Sequence, residues 1–225
     1  FGLSAAQAQT AETTLREVKV EAAQESGYEP VKKLASPKYT APLAETTQTI
    51  QVINEQVIKD QGATTLTEAM RNVPGAGTFD AGEGRGGAIP GDGLYMRGYD
   101  VSNSIYIDGV RDIGTISRDV FNTEQIEVTQ GAAGTDYGRT SPAGSINLVT
   151  KQPKLQNSFD GSLGLGSGKY KRATADINRK IDDTSAVRLN LLGQDAGVAR
   201  HDQVKNDRWG IAGAYAWSLG TATRI

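Results

Sequence analysis

The sequence has no cysteine and a single histidine in 225 residues. Without thiols there is no disulfide framework and no thiolate metal site, and His201 alone cannot form a zinc centre, so we expect no metal site. No run of 18 apolar residues occurs, which predicts no transmembrane helix. Lys and Arg number 24 against 26 Asp and Glu, a balance without the basic excess typical of nucleic-acid-binding proteins.

Motifs of catalysis are missing as well. The chain has no G-x-S-x-G elbow, no H-E-x-x-H, no EF-hand loop and no Cys–His pair. The segment Gly82–Gly87 matches G-x-G-x-x-G, but Pro90-Gly91 follows it where a dinucleotide site needs a helix. We therefore expect a protein that is not an enzyme and that holds no cofactor.

The pattern of residues 36–153 predicts a compact α+β domain. Asn54 is expected to cap a short helix ending at Asp60, and Thr65–Glu68 is a capping box for a second helix that Pro74 stops. Asp108-Gly109 is a strong hairpin signal. The strands expected in this domain cover residues 46–52, 104–107, 110–113, 125–129 and 145–150.

Two loops interrupt this domain. Gly75–Gly93 carries eight glycines and almost no apolar side chains, and Tyr99–Ser104 is shorter and polar. Long loops of this kind in compact domains are often functional.

After Pro153 the pattern changes to segments in which apolar and polar residues alternate. Their length of 8–13 residues suits strands that cross a membrane, with the apolar face toward lipid and the polar face toward a lumen. Four such strands cannot close a barrel. The expected strands cover residues 159–166, 171–181, 185–195 and 207–219.

Two observations on these strands bear on the membrane interpretation. Trp209 and Trp217 lie near the two ends of one strand, where aromatic girdles are found. A soluble sandwich with the apolar face in its core is the alternative, and the charged positions Arg172, Asp176 and Arg188 agree with both.

The beginning of the chain predicts export and a flexible arm. Ala6-Gln7-Ala8 has the form of a signal-peptidase site, so residues 1–8 are interpreted as a signal-peptide remnant and residues 9–35 as an arm. Within the arm, Leu15–Ala22 alternates valine with charge, as in a strand that adds to another protein's sheet. The pattern alone favours a disordered tail.

Several motifs, in a fixed order, resemble those of the TonB-dependent outer-membrane receptors, in particular the siderophore receptors of catecholate type. The resemblance covers the whole chain. It rests on Leu94–Tyr99, Ile105–Arg111, Ile126–Gly131, Gly134–Arg139 and Lys151–Pro153.

This resemblance implies an α+β plug domain, residues 36–153, followed by antiparallel strands of a transmembrane β-barrel, residues 154–225. In the family the barrel has about 22 strands, so it is incomplete here. The implied function is active import of a ferric siderophore, of catecholate type, across the outer membrane of a Gram-negative bacterium. The implied partners are TonB with ExbB and ExbD, the ferric siderophore and outer-membrane lipid, with no nucleic acid; the receptor is expected to be a monomer. Iron arrives already chelated, so no cofactor is implied.

The resemblance also implies functional residues. It reverses the preference for a disordered tail, because the TonB box of the family matches Leu15, Arg16, Glu17, Val18, Lys19, Val20, Glu21 and Ala22. Arg97 and Arg139 match plug arginines that pair with barrel glutamates. Three plug apices are expected to contact the ligand, through Arg85 and Gly86, through Asp100, Val101 and Ser102, and through Asp112, Ile113, Gly114 and Thr115.

Charge and shape at the apices suggest the class of ligand. Ferric siderophore complexes are commonly anionic, and the guanidinium of Arg85 suits anionic oxygens. Ile113 and Thr115 stand where hydroxamate receptors often carry an aromatic residue. The alternatives are another cargo such as haem or cobalamin, a passive porin-like channel, which would lack a TonB box, and a soluble extracytoplasmic enzyme.

Overall fold

The computed structural model describes residues 31, 33–77, 91–114, 116–132, 138, 142–198 and 201–221. The expected signal remnant, the TonB box at 15–22, and Arg85, Gly86, Thr115 and Arg139 lie outside these residues. None of the helices in the described ranges has the length and apolar content needed to cross a membrane.

The first part of the chain forms a compact domain of short helices and strands. Its helices are α1 (Glu55–Asp60) and α2 (Leu66–Ala69), with 3-10 turns at Leu43–Glu45 and Met70–Asn72. Its strands are β1 (Thr49–Asn54), β2 (Ala76–Gly77), β3 (Tyr95–Met96), β4 (Tyr99–Asp100), β5 (Ile105–Ile107), β6 (Val110–Arg111), β7 (Thr123–Gln130) and β8 (Gly144–Thr150).

A five-stranded central sheet organises the compact domain in the order β1-β7-β8-β5-β6. Strands β5 and β8 are parallel and the other neighbours antiparallel, while β2, β3 and β4 form a small separate sheet. Strand β1 begins three residues later than predicted because its pairing with β7 starts at Thr49 and Gln130. The core joins one face of the central sheet to both helices, through Ile58, Leu66, Met70, Ile126, Val128 and Ile146.

The two helices begin as their sequences predict. Asn54 accepts a hydrogen bond from the Val57 backbone N–H at 2.9 Å, and the reciprocal capping box of Thr65 and Glu68 is formed. The prediction of one continuous helix toward Pro74 is wrong. α2 ends at Ala69 and gives way to a 3-10 turn at Met70–Asn72. Val73 is extended, as expected for the residue before a proline.

The Asp108-Gly109 hairpin has the predicted tight turn, with φ of 49° and 80° at the two residues. The Asp108 carboxylate accepts hydrogen bonds from the backbone N–H and the hydroxyl of Thr150, at 2.9 and 2.6 Å. Its role is therefore structural, as expected.

The second part of the chain forms an antiparallel sheet, called here the wall sheet, in the order β14-β11-β10-β9. Its strands are β9 (Ser158–Gly166), β10 (Tyr170–Lys180), β11 (Ala186–Asp195) and β14 (Arg208–Ala216). Between β11 and β14 the chain forms an additional hairpin, β12 (Gly197–Val198) with β13 (His201–Lys205), which the sequence did not predict because the segment does not alternate.

The predicted extension of the last strand to Leu219 is wrong. β14 ends at Ala216, and the chain turns at Ser218, which has a φ of 58°. Leu219 is thereby brought into a small buried cluster with Ala186 and Ala216, while Trp217 follows the strand and stays partly exposed.

The two faces of the wall sheet are opposite in character. On the outer face, Leu163, Leu165 and Trp209 are 87%, 84% and 83% exposed. On the inner face, polar side chains such as Asp176 and Arg188 are buried against the compact domain. The soluble-sandwich alternative is wrong, because it would bury the apolar face.

Candidate functional site

The compact domain is attached to the inner face of the wall sheet along a seam that contains two ion clusters. In the first, which we call the Asp119 cluster, both carboxylate oxygens of Asp119 accept from the guanidinium of Arg172 at 2.7 Å. Arg208 donates to the same carboxylate at 3.3 Å, and Gln194 accepts from Arg172 at 2.8 Å. One acid of the compact domain thus binds two cations of the wall.

In the second ion cluster, the Lys151 cluster, the compact domain and the wall each supply charges of both signs. Lys151 Nζ lies 2.9 Å from the Asp176 carboxylate of β10 and 2.8 Å from Glu55 of α1. Arg188 of β11 binds Asp176 with two hydrogen bonds, at 2.8 and 2.7 Å, and donates to the Gln152 carbonyl. These side chains are shielded from water, so each charge requires its partners.

Glu55 and Lys59 extend the Lys151 cluster along α1. Burial alone would raise the pKa of Glu55, but its hydrogen bonds and ion pairs with Lys151 and Lys59 outweigh burial and hold this pKa below its usual range. Burial would lower the pKa of Lys59, yet its bonds to Asp160 and Glu55 raise it. Glu55 is therefore charged in the assembled seam at neutral pH.

Small residues let the compact domain approach the last strand of the wall sheet closely. The Phe121 ring lies over Gly210 of β14, where a Cβ atom would be only 2.7 Å from the ring. The next inner positions of β14 are Ala212 and Ala214. A side chain at position 210 would therefore force the Phe121 ring to move.

A cavity of about 360 Å³ lies in the seam between α1 and strands β9 and β10. Three ion pairs join the compact domain to the wall around it, formed by Lys151 with Asp176, by Lys59 with Asp160, and by Asp119 with Arg172. The lining contains small and hydroxyl-bearing residues, among them Gly62, Ala63, Ser162 and Thr174. The seam is therefore held by ion pairs around a space that side chains do not fill.

The third predicted apex is organised from inside by Arg118, the residue before Asp119. The buried guanidinium of Arg118 donates to Asp92 at 3.2 Å, to the Asp112 carboxylate at 2.9 Å and to the Gly114 carbonyl at 2.8 Å. The hydrogen bond from Arg118 is the main reason that the pKa of Asp112 is lowered. Asp112 is therefore engaged within its own loop, whereas Ile113 is 67% exposed.

The second predicted apex divides into exposed and buried residues. Asp100 is exposed and accepts from the Ser102 backbone N–H at 2.8 Å, and the Ser102 hydroxyl accepts from the Leu94 N–H. Val101 has no exposed surface and belongs to the core, so its prediction as a ligand contact is wrong. The structure brings this apex close to the third one, because Arg111 donates to the Asn103 carbonyl at 2.7 Å.

Arg97 lies in the exposed turn between β3 and β4, three residues before Asp100. Its guanidinium donates to the Gln130 side chain at 3.2 Å, and within the described ranges no acidic residue forms an ion pair with it. Its expected glutamate partner stays a prediction.

Sequence reasoning missed the seam. The sequence did contain a pattern that indicates the seam, because Arg172, Asp176 and Arg188 alternate with apolar residues on the wall strands. Charged side chains on an inward face need partners of opposite charge. The acceptor Asp119 and the donor Lys151 carried no local signal, because they lie 53 and 25 residues from their wall partners along the chain.

Comparison with known proteins assigns both parts of the chain. The TonB-dependent receptor plug domain matches residues 42–145. The catecholate siderophore receptor Fiu of Escherichia coli strain K12 is 55% identical over 206 residues, which are 92% of this chain and 27% of Fiu. The probable TonB-dependent siderophore receptor PiuA of Acinetobacter baumannii is 37% identical over 97% of this chain and 29% of PiuA.

The solved structures agree with this assignment. The crystal structure of Fiu from E. coli K12 in its closed form superposes with a TM-score of 0.82 at 55% identity, over 87% of this chain and 27% of Fiu. The chain thus spans about a quarter of the length of these relatives. Its fold is a plug domain followed by antiparallel strands of a transmembrane β-barrel. The chain belongs to the TonB-dependent receptors and corresponds to their N-terminal portion.

Proposed function

We propose that the full-length protein imports a ferric siderophore, of catecholate type, across the outer membrane of a Gram-negative bacterium. The observation that carries the proposal is a plug domain fixed to the polar inner face of a membrane wall, in a chain 55% identical to a catecholate siderophore receptor. A plug held by ion pairs can separate without any covalent bond being broken. Such a plug suits a transporter that must open and close again.

Ligand contact is assigned to the plug apices and the barrel wall. Of the predicted residues, Asp100 and Ile113 are exposed in the structure, and Ser102 and Gly114 are partly exposed beside them. Arg85, Gly86 and Thr115 complete the proposed contact surface, with Arg85 as the guanidinium for an anionic chelate. The iron is cargo within the chelate, and the protein needs no cofactor.

Energy for transport is assigned to TonB, with ExbB and ExbD, drawing on the proton gradient of the inner membrane. The arm, residues 9–35, carries the proposed TonB box at 15–22, and residues 1–8 are proposed to be what remains of a signal peptide. The proposed domain limits are 36–153 for the plug and 154–225 for the first barrel strands. Arg97 and Arg139 are proposed to pair with glutamates elsewhere in the barrel, and the receptor is proposed to be a monomer.

Uptake tests the proposal directly. The full-length protein is expressed in a bacterium without its own catecholate receptors, and accumulation of radioactive iron is followed for ferric catecholates and ferric hydroxamates. We expect catecholate uptake that is lost when TonB is deleted. Preferred uptake of hydroxamate, haem or cobalamin would overturn the ligand class, and uptake without TonB would indicate a passive channel.

The TonB box is tested by a single substitution. Val18→Pro removes a backbone donor needed for strand pairing, so uptake should be abolished while binding of the ferric siderophore persists. Gln24→Pro, in the same arm but outside the box, is the matched control. Normal uptake by the Val18 variant would place the box elsewhere.

A further inference from the structure

The central sheet of the plug has two faces that differ in character. The face toward the helices is apolar, with Ile126 and Val128 of β7 fully buried. By strand register, Ile50 and Val52 of β1 and Tyr106 of β5 share the other face. The same face carries four polar side chains of β7 and β8 that are at most 3% exposed. They are Glu127, Thr129, Ser145 and Asn147.

Glu127 stands out on this second face because it is a carboxylate buried among neutral groups. Its oxygens accept hydrogen bonds from the Ala35 backbone N–H at 2.6 Å, from the Gln125 amide at 2.7 Å and from the Asn147 amide at 3.0 Å. No lysine or arginine of the described chain forms an ion pair with it. A buried charge is costly unless hydrogen bonds satisfy it, so these three donors matter.

The bond from Ala35 differs from the other two because it comes from outside the sheet. Ala35 precedes Glu127 by 92 residues and is the last residue of the proposed arm. On the opposite side of Glu127, Asn147 accepts from the Gly109 backbone N–H at 3.0 Å. A continuous series of hydrogen bonds therefore runs from Ala35 through Glu127 and Asn147 to the β5–β6 hairpin, which leads directly into the third apex.

We propose that Glu127 is a positioning residue that latches the chain at Ala35 to the plug and that this latch is built to be released. A hydrogen bond to a carboxylate is strong for its size. When it breaks, water can replace the lost donor. Thr129, Ser145 and Asn147, which share this face with Glu127, are polar, so exposing them carries little hydrophobic cost. Tension applied to the arm would consequently detach the stretch around Ala35 before it disturbs the apolar core.

Hydrogen exchange on the purified full-length receptor tests the latch. Glu127→Gln keeps the shape of the side chain but removes its charge. It also replaces one oxygen, which accepts a hydrogen bond, with an amide N–H₂ group, which can only donate. Exchange of the amides around residues 33–48 should become about ten-fold faster, while the amides of β7 and β8 and the binding of ferric catecholate stay unchanged.

Two further variants keep the test decisive. Thr129→Val, on the same buried face two residues along, is the matched control and should leave exchange near Ala35 unaltered. Ala35→Pro removes the donor from the other partner and should reproduce the effect of Glu127→Gln even if that variant folds poorly. Unchanged exchange around residues 33–48 in both latch variants would overturn the proposal.

Only the role of the latch under tension rests on the proposed import function; the exchange measurement does not. Exchange around residues 33–48 could be faster in Glu127→Gln than in the wild type while the wild-type receptor takes up no ferric catecholate. In that case the import function fails and the latch stands. If uptake is normal and exchange is insensitive to both variants, the latch fails and the import function stands.

Discussion

At the Asp119 cluster the plug supplies one carboxylate and the wall supplies two guanidinium groups. At the Lys151 cluster each side supplies both signs of charge, Lys151 and Glu55 from the plug and Asp176 and Arg188 from the wall. Both clusters are buried in the same seam. A plug displaced so that Lys151 met Arg172 and Arg208 would bring like charges together. The different charge patterns of the two clusters therefore favour one orientation of the plug, in addition to holding it.

The two clusters also differ in how deeply their cations are buried. Asp176 binds Lys151 and Arg188, whose side chains are 6% and 8% exposed, and Lys151 also pairs with Glu55. Asp119 binds Arg172 and Arg208, whose side chains are 10% and 20% exposed, and Arg172 has Gln194 as a second acceptor. Loss of Asp176 should therefore have the larger effect.

The largest effect is expected for Asp176→Asn. The buried Arg188 loses the carboxylate that it binds through two hydrogen bonds, and Lys151 keeps only Glu55, which should destabilise the seated plug by about 3–5 kcal/mol. The measurement is thermal unfolding of the purified full-length receptor, together with leakage of a large antibiotic into intact cells. Asp183→Asn, in the exposed turn after β10, is the control. Equal behaviour of both variants would contradict a structural role for Asp176.

Asp119→Asn should cost less, about 2 kcal/mol, because Arg208 is partly exposed to water and Gln194 continues to accept from Arg172. We expect in addition a weaker binding of ferric catecholate, since Asp119 follows Arg118, the residue that holds the third apex. Asp160→Asn removes an exposed ion pair of the same seam and is the control. The comparison between the clusters fails if Asp119→Asn is more damaging than Asp176→Asn.

Gly210→Leu tests the close contact that accompanies the ion pairs. The new side chain would collide with the Phe121 ring, and we expect a cost of about 1–3 kcal/mol in thermal unfolding. Gly213→Leu, on the outer face of the same strand with no atom within 4 Å of its Cβ position, should be tolerated. Similar destabilisation by both variants would mean that the plug does not rest on this strand.

The smallest effect is expected from acid. Because the pKa of Glu55 is lower in the folded seam than in the unfolded chain, its contribution is fully present above about pH 4.3 and is lost as the pH falls through the folded pKa. Glu55→Gln should therefore flatten the acid dependence of thermal stability in this range, and Glu45→Gln, an exposed site, should not. An unaltered pH profile for Glu55→Gln would argue against its pairing with Lys151.

Alternation of residues gave good predictions for the wall sheet and local chemistry gave good predictions for the plug. The strand predicted at 171–181 is Tyr170–Lys180, and the one predicted at 185–195 is Ala186–Asp195. Caps at Asn54 and Thr65 depend on neighbours three residues away, so they too are visible in the sequence.

Other features depend on distant partners and could not be predicted in this way. Val101 is flanked by polar residues, but the backbone pairing of β3 and β4 turns it into the core. Leu219 continues the alternation of β14, yet a turn at Ser218 directs it inward. The partners of Asp119 and Lys151 are fixed only when two separate sheets come together.

Cross-linking between plug and wall tests the orientation of the plug most directly. In the full-length receptor within outer membranes, with no other cysteine present, Phe121→Cys is combined with Gly210→Cys or with Ile211→Cys, and a short thiol cross-linker is applied. Position 210 faces the plug and position 211 the outside, so we expect efficient cross-linking of 121 to 210 and little of 121 to 211. Equal or preferred cross-linking to 211 would contradict a plug seated on the polar inner face of the wall.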